Sequence, residues 1–164
     1  MVATTKGTAK VTLPTDTQIL ITRAFNAPRH LVWRAYTTPE LVKRWWAGEK
    51  GTVISAEIDL RVGGRWRYVM AAEGGHEVGF HGEYREIEAP GRLVNTELFE
   101  GLPDPEAHVG VVTVTLTERD GVTAMEMLCD YGDRETRDAV VGSGMESGLQ
   151  GSLDHLEAVA AGLE

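Results

Sequence analysis

The sequence predicts an α+β fold in which one curved antiparallel sheet wraps a long C-terminal helix, and three observations carry this prediction. Residues 140–161 place Met145, Leu149, Leu153, Leu156 and Ala160 at helical spacing, while the other positions are mostly small or polar. Nearly everything between residues 52 and 131 reads as strand, with short turns between the segments. The helical segments lie at the two ends of this strand run rather than between strands, which argues against a doubly wound α/β arrangement. Gly144, Gly148 and Gly151 fall inside the closing helix, and each costs a helix interior roughly 1 kcal/mol relative to alanine. Such a helix persists only if packing holds it, and the sheet is the simplest partner.

The first ten residues are rich in Thr, Ala and Gly without periodicity, so residues 1–15 are expected to be a flexible tail and residues 16–164 a single domain. The first strand follows at residues 18–25, where Ile19 and Ile21 alternate and Phe25 joins their face after a slip. Pro28 opens a helix carrying Leu31, Val32, Ala35 and Tyr36, and Thr38 caps a second short helix with Leu41, Val42, Trp45 and Trp46 along one side. Six more strands are expected at residues 53–60, 65–72, 77–88, 93–99, 109–117 and 123–131, which makes seven in all. Gly63-Gly64, Gly74-Gly75 and Asp120-Gly121 mark hairpin turns, and the prolines of residues 101–105 mark a surface loop.

A chain of 164 residues with 42% hydrophobic residues can bury one sizeable core. A formal charge of −9 leaves no broad basic surface, which argues against nucleic acid and anionic membrane as partners. The single cysteine, Cys129, excludes an intramolecular disulfide framework and reads as a small buried hydrophobe in a strand. No segment reaches the ~20 apolar residues that span a bilayer, so no membrane insertion is expected and the protein is read as cytoplasmic.

Strand alternation brings Trp66, Tyr68 and Met70 to one face, Phe80 and Tyr84 to the same side of the next strand, and Met125, Met127 and Tyr131 to one side of the last. With Met145 and Leu149 of the closing helix and Trp46 of the second short helix, they would line a hollow of rings and thioethers suited to an apolar ligand. Burial in an ordinary core accounts for them about as well, since each contributes roughly 1.5–3 kcal/mol when buried. No histidine pair or Cys–His combination has metal-ligand spacing, so no metal and no cofactor are expected. His81 falls on the outer face by strict alternation, and Arg61, Arg65 and Arg67 are expected to pair with Glu57, Asp59 and Glu83. Glu146 is the polar residue at the edge of the gripping face. Trp45 and Trp46 are adjacent and cannot both enter the core; an exposed indole beside Tyr36 would favour a homodimer.

Several collinear strings carry a resemblance. They are Arg-Ala-Phe-Asn-Ala-Pro-Arg-His-Leu-Val-Trp-Arg-Ala-Tyr-Thr-Thr-Pro-Glu-Leu from Arg23, Arg-Trp-Trp from Arg44 and Asp-Leu-Arg-Val-Gly-Gly-Arg-Trp-Arg from Asp59. Phe-His-Gly-Glu-Tyr-Arg-Glu-Ile from Phe80 and Gly-Met-Glu-Ser-Gly-Leu-Gln-Gly-Ser-Leu-Asp-His-Leu from Gly144 complete the set. Together they resemble the START-like, helix-grip (SRPBCC) superfamily, and within it the proteins named for homology to the activator of the ninety-kilodalton heat-shock protein ATPase. The resemblance implies a seven-stranded sheet gripping the C-terminal helix, with a pocket that in relatives holds lipids, sterols, aromatic polyketides or hormones. Leu149 stands where the last helix of such proteins is commonly aromatic.

The function expected is non-catalytic binding of a small hydrophobic or aromatic ligand at Trp46, Trp66, Tyr68, Met70, Phe80, Tyr84, Met125, Met127, Tyr131, Met145 and Leu149. Two alternatives stay open. One is a polyketide cyclase or hydratase-like enzyme using Tyr84, Tyr131 or Glu146, and the other a chaperone-linked interaction module acting through Trp45 and Trp46.

Overall fold

In the computed structural model, which describes residues 7–72 and 74–163, eight antiparallel strands form one curved, open sheet. Along the chain come β1 (Lys10–Thr12), β2 (Gln18–Phe25), α1 (Arg29–Thr37), α2 (Pro39–Trp45), β3 (Gly51–Ile58), β4 (Arg65–Ala72), β5 (Glu77–Glu88) and β6 (Arg92–Phe99). A single 3-10 turn at Pro105–His108 leads into β7 (Gly110–Arg119), β8 (Val122–Asp130), α3 (Arg134–Gly142) and α4 (Met145–Ala161). Spatially the order is β1-β2-β8-β7-β6-β5-β4-β3. Strands β3 to β8 form a meander, and β2 returns to pair with β8. The turn between β7 and β8 carries positive φ at both Asp120 and Gly121, the geometry a two-residue hairpin requires.

The α+β class with a gripped C-terminal helix stands as expected, and three local expectations change. The sheet has eight strands rather than seven, because Lys10–Thr12 pairs with β2 through Lys10 opposite Thr22 and Thr12 opposite Leu20. The expected tail of residues 1–15 is therefore docked at its end: Ala9 is buried and Gln150 of α4 bonds its N–H and C=O. Residues 1–6 lie outside the described residues.

The closing helix is also two helices. Gly144 sits at φ +82°, a left-handed conformation that ends regular helix, so α3 stops at Gly142 and α4 starts at Met145. The Asp133 carboxylate accepts the Thr136 N–H at 2.6 Å and starts α3.

Finally, β2 has no slip. Ile19, Ile21, Arg23 and Phe25 all point to the buried face. Arg23 occupies a core position with its side chain wholly inaccessible, 2.7 Å from Asp154 and 3.5 Å from Glu157 of α4. Its guanidinium lies 4.9 Å from the centroid of the Phe25 ring, and its Nε has no hydrogen-bond partner. The two acids also accept backbone N–H groups, Asp154 from Gly7 and Glu157 from Asn26. The pair therefore ties β2 to the C-terminal half of α4.

Arg23→Ala leaves Asp154 and Glu157 without their cation and opens a void beside Phe25. Urea unfolding is expected to show a loss of roughly 3–5 kcal/mol. A loss below about 1 kcal/mol, the worth of a surface pair, would show that this contact does not fasten the helix.

Candidate functional site

Burial is uneven over the concave face. Phe25, Met125, Leu93, Leu116, Ile19, Cys129, Tyr84, Trp66 and Tyr68 are buried, whereas Met127, Tyr131, Phe80, Phe99 and Met70 are half-buried. Along α4 the change is ordered: Leu153, Leu156, Val159 and Ala160 are buried, and Met145 and Leu149 in its N-terminal half are half-buried. The helix is thus packed tightly toward its C-terminus and more loosely at the end where it begins.

The expected site residues fall on this face, but their surroundings differ. Trp66, Tyr68, Tyr84 and Met125 are core side chains. Trp46, Phe80, Met127, Tyr131, Met145 and Leu149 pack on the core's edge. The Trp46 ring meets Tyr68 and Phe80 edge-on, each at 5.4 Å between centroids, and so covers the loose end. Trp45 takes the other role: it is buried, stacks on Tyr36 at 5.4 Å and donates its indole N–H to the Ala35 carbonyl at 2.9 Å.

A further residue belongs here that the strand reading had passed over. In β6 the positions Leu93, Asn95, Glu97 and Phe99 share parity, and since Leu93 is buried and Phe99 packs against Phe80 at 5.0 Å, Glu97 points inward as well. Its alternation with Leu93 and Phe99 was the available signal.

Glu97 lies opposite Gly110 on β7, and the register that pairs Phe80 with Phe99 and Tyr84 with Asn95 brings Gly82 of β5 to its other side. Both glycines are occupied from above. A Cβ on Gly82 would lie 1.8 Å from the Thr96 carbonyl oxygen and 2.7 Å from the Trp66 indole nitrogen, which donates to that same oxygen at 3.1 Å. A Cβ on Gly110 would lie 3.1 Å from the Tyr131 ring. One row across the sheet therefore reads Tyr131, Gly110, Glu97, Gly82, Trp66, with an aromatic side chain close against each glycine.

Glu97 keeps some accessible surface, yet protein surrounds it so closely that desolvation raises its pKa from 4.5 to about 7. No protein donor bonds it among the described residues. Its negative form raises the pKa of Tyr36, Tyr68, Cys129 and Tyr131 in turn, after burial, the larger cause for each. Cys129 is pushed up to about 12, so its thiol is an inert core group rather than a nucleophile. Burial keeps the Tyr68 and Tyr84 phenols protonated.

Outside the concave face, Glu146 is exposed in the first turn of α4 and contributes nothing to the interior. His81 is outward as expected, with Nδ1 2.7 Å from Glu100. Arg61 pairs with Asp59 at 2.8 Å as expected, whereas Arg67 takes both oxygens of Glu100, at 2.9 and 2.8 Å, rather than Glu57 or Glu83. The Arg67 hydrogen bonds, followed by that of His81, hold the Glu100 carboxyl down at about 2. Two open surface depressions, of about 310 Å³ beside Pro28 and about 490 Å³ on the convex side of β7 and β8, lie away from this face. Among the described residues no cluster of His, Cys, Asp and Glu could hold a metal ion.

Residues 26–161 match the family described as Activator of Hsp90 ATPase homolog 1-like protein. The chain belongs to that family. The Activator of Hsp90 ATPase homolog 1-like fold is shared by a crystal structure from Rhodobacter sphaeroides, 27% identical, covering 94% of this chain and 99% of that one with a TM-score of 0.85. A solution structure from Arthrobacter aurescens is 25% identical over 93% of this chain and 91% of its own, with a TM-score of 0.82. The AHSA1-like protein of Aeromonas hydrophila is 27% identical over 88% and 95%, with a TM-score of 0.66. No protein of curated function matches the sequence.

Two measurements check the geometry. The folded chain holds the Glu97 proton up to about pH 7, whereas the unfolded chain releases it near 4.5. Stability therefore falls as pH rises from about 4.5 to 7 and levels off above, a loss on the order of a few kcal/mol that Glu97→Gln removes. Urea titrations of both proteins across that window report it. Gly82→Ala forces its methyl into the Thr96 carbonyl and the Trp66 indole; a destabilisation of at least ~1–3 kcal/mol is expected, with altered tryptophan emission.

Proposed function

We propose that the protein binds a small hydrophobic or aromatic molecule between the concave sheet face and the N-terminal half of α4, without covalent chemistry. The observation that supports this reading is the incomplete burial of rings and thioethers: Trp46, Phe80, Met127, Tyr131, Met145 and Leu149 stay half-accessible beside a sealed core. An apolar ligand entering there removes that surface from water at roughly 25 cal/mol per Å². Tyr131 and Glu97 supply the polar groups that orient it. Met127 and Met145 adapt to its shape, as flexible thioethers do.

The same row gives less support to catalysis by Glu146, which is exposed. Of the Trp45–Trp46 surface read as a chaperone contact, Trp45 is stacked on Tyr36 inside the molecule, which also removes the exposed indole beside Tyr36 that would favour a homodimer, and Trp46 alone stays half-accessible. No helix among the described residues is long and apolar enough to cross a membrane.

A thermal-shift and native mass-spectrometry screen of apolar and aromatic compounds tests the reading. A ligand at about a hundred times its Kd is expected to raise Tm by about 5 °C or more. Leu149→Trp, which fills the loose end of α4, is expected to keep the fold and to weaken that ligand by about tenfold or more, on the order of 1.4 kcal/mol. A screen in which no compound stabilises the protein, or a Leu149→Trp variant that binds unchanged, overturns the proposal.

A further inference from the structure

Glu97 is a carboxyl placed among aromatic side chains with no counter-charge bonded to it among the described residues. Its lateral neighbours on the sheet, Gly82 and Gly110, have no side chains, and the Trp66 indole nitrogen and the Tyr131 ring stand against the positions their Cβ atoms would take. The indole is held in place by the Thr96 carbonyl at 3.1 Å, and the Tyr131 backbone N–H donates to the Thr17 carbonyl at 2.9 Å. Arg23, the guanidinium of the concave face, is committed at the opposite end to Asp154 and Glu157. No protein cation among the described residues bonds Glu97. An anionic ligand would bring a like charge against this carboxyl with nothing to offset it, whereas a nitrogen cation meets a carboxylate and ring faces together.

Resting on the ligand-binding reading above, we propose that the hollow selects an apolar or aromatic molecule carrying one basic nitrogen, the cation held by the Glu97 carboxylate and faced by the rings of Trp66 and Tyr131. The groups facing Glu97 are Tyr36 from α1, Tyr68 from β4, and Cys129 and Tyr131 from β8 and its end, and burial keeps all four protonated. Glu97 is then the group that exchanges a proton on binding. The ammonium enters already protonated, the Glu97 carboxyl loses its proton to solvent, and an ammonium–carboxylate pair remains.

The test uses tryptamine, tryptophol and indolepropionate, which share one ring and differ in the charge at the chain end. Isothermal titration is run in buffers of different ionisation heat at about pH 6 and about pH 8.5. Tryptamine is expected to bind about tenfold or more tighter than the alcohol and the acid. It should release close to one proton at about pH 6 and almost none at about pH 8.5. Glu97→Gln should bring tryptamine to the level of tryptophol and abolish proton release, while Glu97→Asp should keep part of both. Should Glu97→Gln fail to fold, the probe ranking and proton release of the wild type decide alone. Equal binding of all three probes, tighter binding of the acid, or tryptamine binding without proton release overturns the cation proposal and leaves the ligand-binding reading standing. If none of the three binds, this proposal falls, and a negative screen of apolar compounds would remove the broader reading as well.

Discussion

A guanidinium with no accessible surface ties the middle of β2 to the C-terminal half of α4, and the shape of the interior follows from it. Taking Arg23 out of water costs several kcal/mol unless its partners stay in place, and here Asp154 stands at 2.7 Å with Glu157 behind it at 3.5 Å. Those acids also accept the N–H groups of Gly7 and Asn26, so the chain before β1 and the corner after β2 converge on the same point. Leu153, Leu156, Val159 and Ala160 are buried where the helix is fastened this way. Leu149, about one and a half turns before Asp154, and Met145, one turn further, are not. The looseness at the start of α4 is thus the far side of one tight contact.

Two glycines shape the opposite end. In a strand interior a glycine gives up packing and conformational entropy, and it is retained where another group needs the space. Trp66 reaches across Gly82 to the next strand's Thr96 carbonyl, and Tyr131 lies over Gly110. The sheet consequently carries an indole and a phenol on the two sides of the strand that holds the Glu97 carboxyl. Desolvation raises the pKa of that carboxyl toward neutrality without any charged neighbour taking part.

Much of this was legible in the sequence where side chains alternate strongly. Trp66 lies between two arginines, Tyr68, Met125 and Met127 each adjoin a charged residue on one side, and their inner-face placement follows from the pleat. Arg23 was read through as a slip because a charged residue at a core position contradicts burial preferences, and only its partners 131 and 134 residues away make the position tenable. Glu97 was missed for the same reason: in Leu-Val-Asn-Thr-Glu-Leu both faces are mixed, and an acid reads as solvent-facing. Helix α3 was missed over residues 134–139, and only its residues 140–142 were read into the closing helix, although Asp133 with Glu135 at the first turn is a helix start and Gly142-Ser143-Gly144 a stop.

The margins of the sheet carry one more consequence. An open antiparallel sheet presents unpaired N–H and C=O groups along both outer strands, and these are templates for another chain. On one side the outermost strand is β1, only three residues long and begun by an exposed lysine. On the other, the register of β3 against β4 shifts between Val53 and Ser55, and Glu57 projects from the same strand into solvent. Neither border is long and regular enough to accept a neighbour in register. The molecule can therefore leave its concave face partly uncovered without inviting copies of itself to polymerise strand to strand.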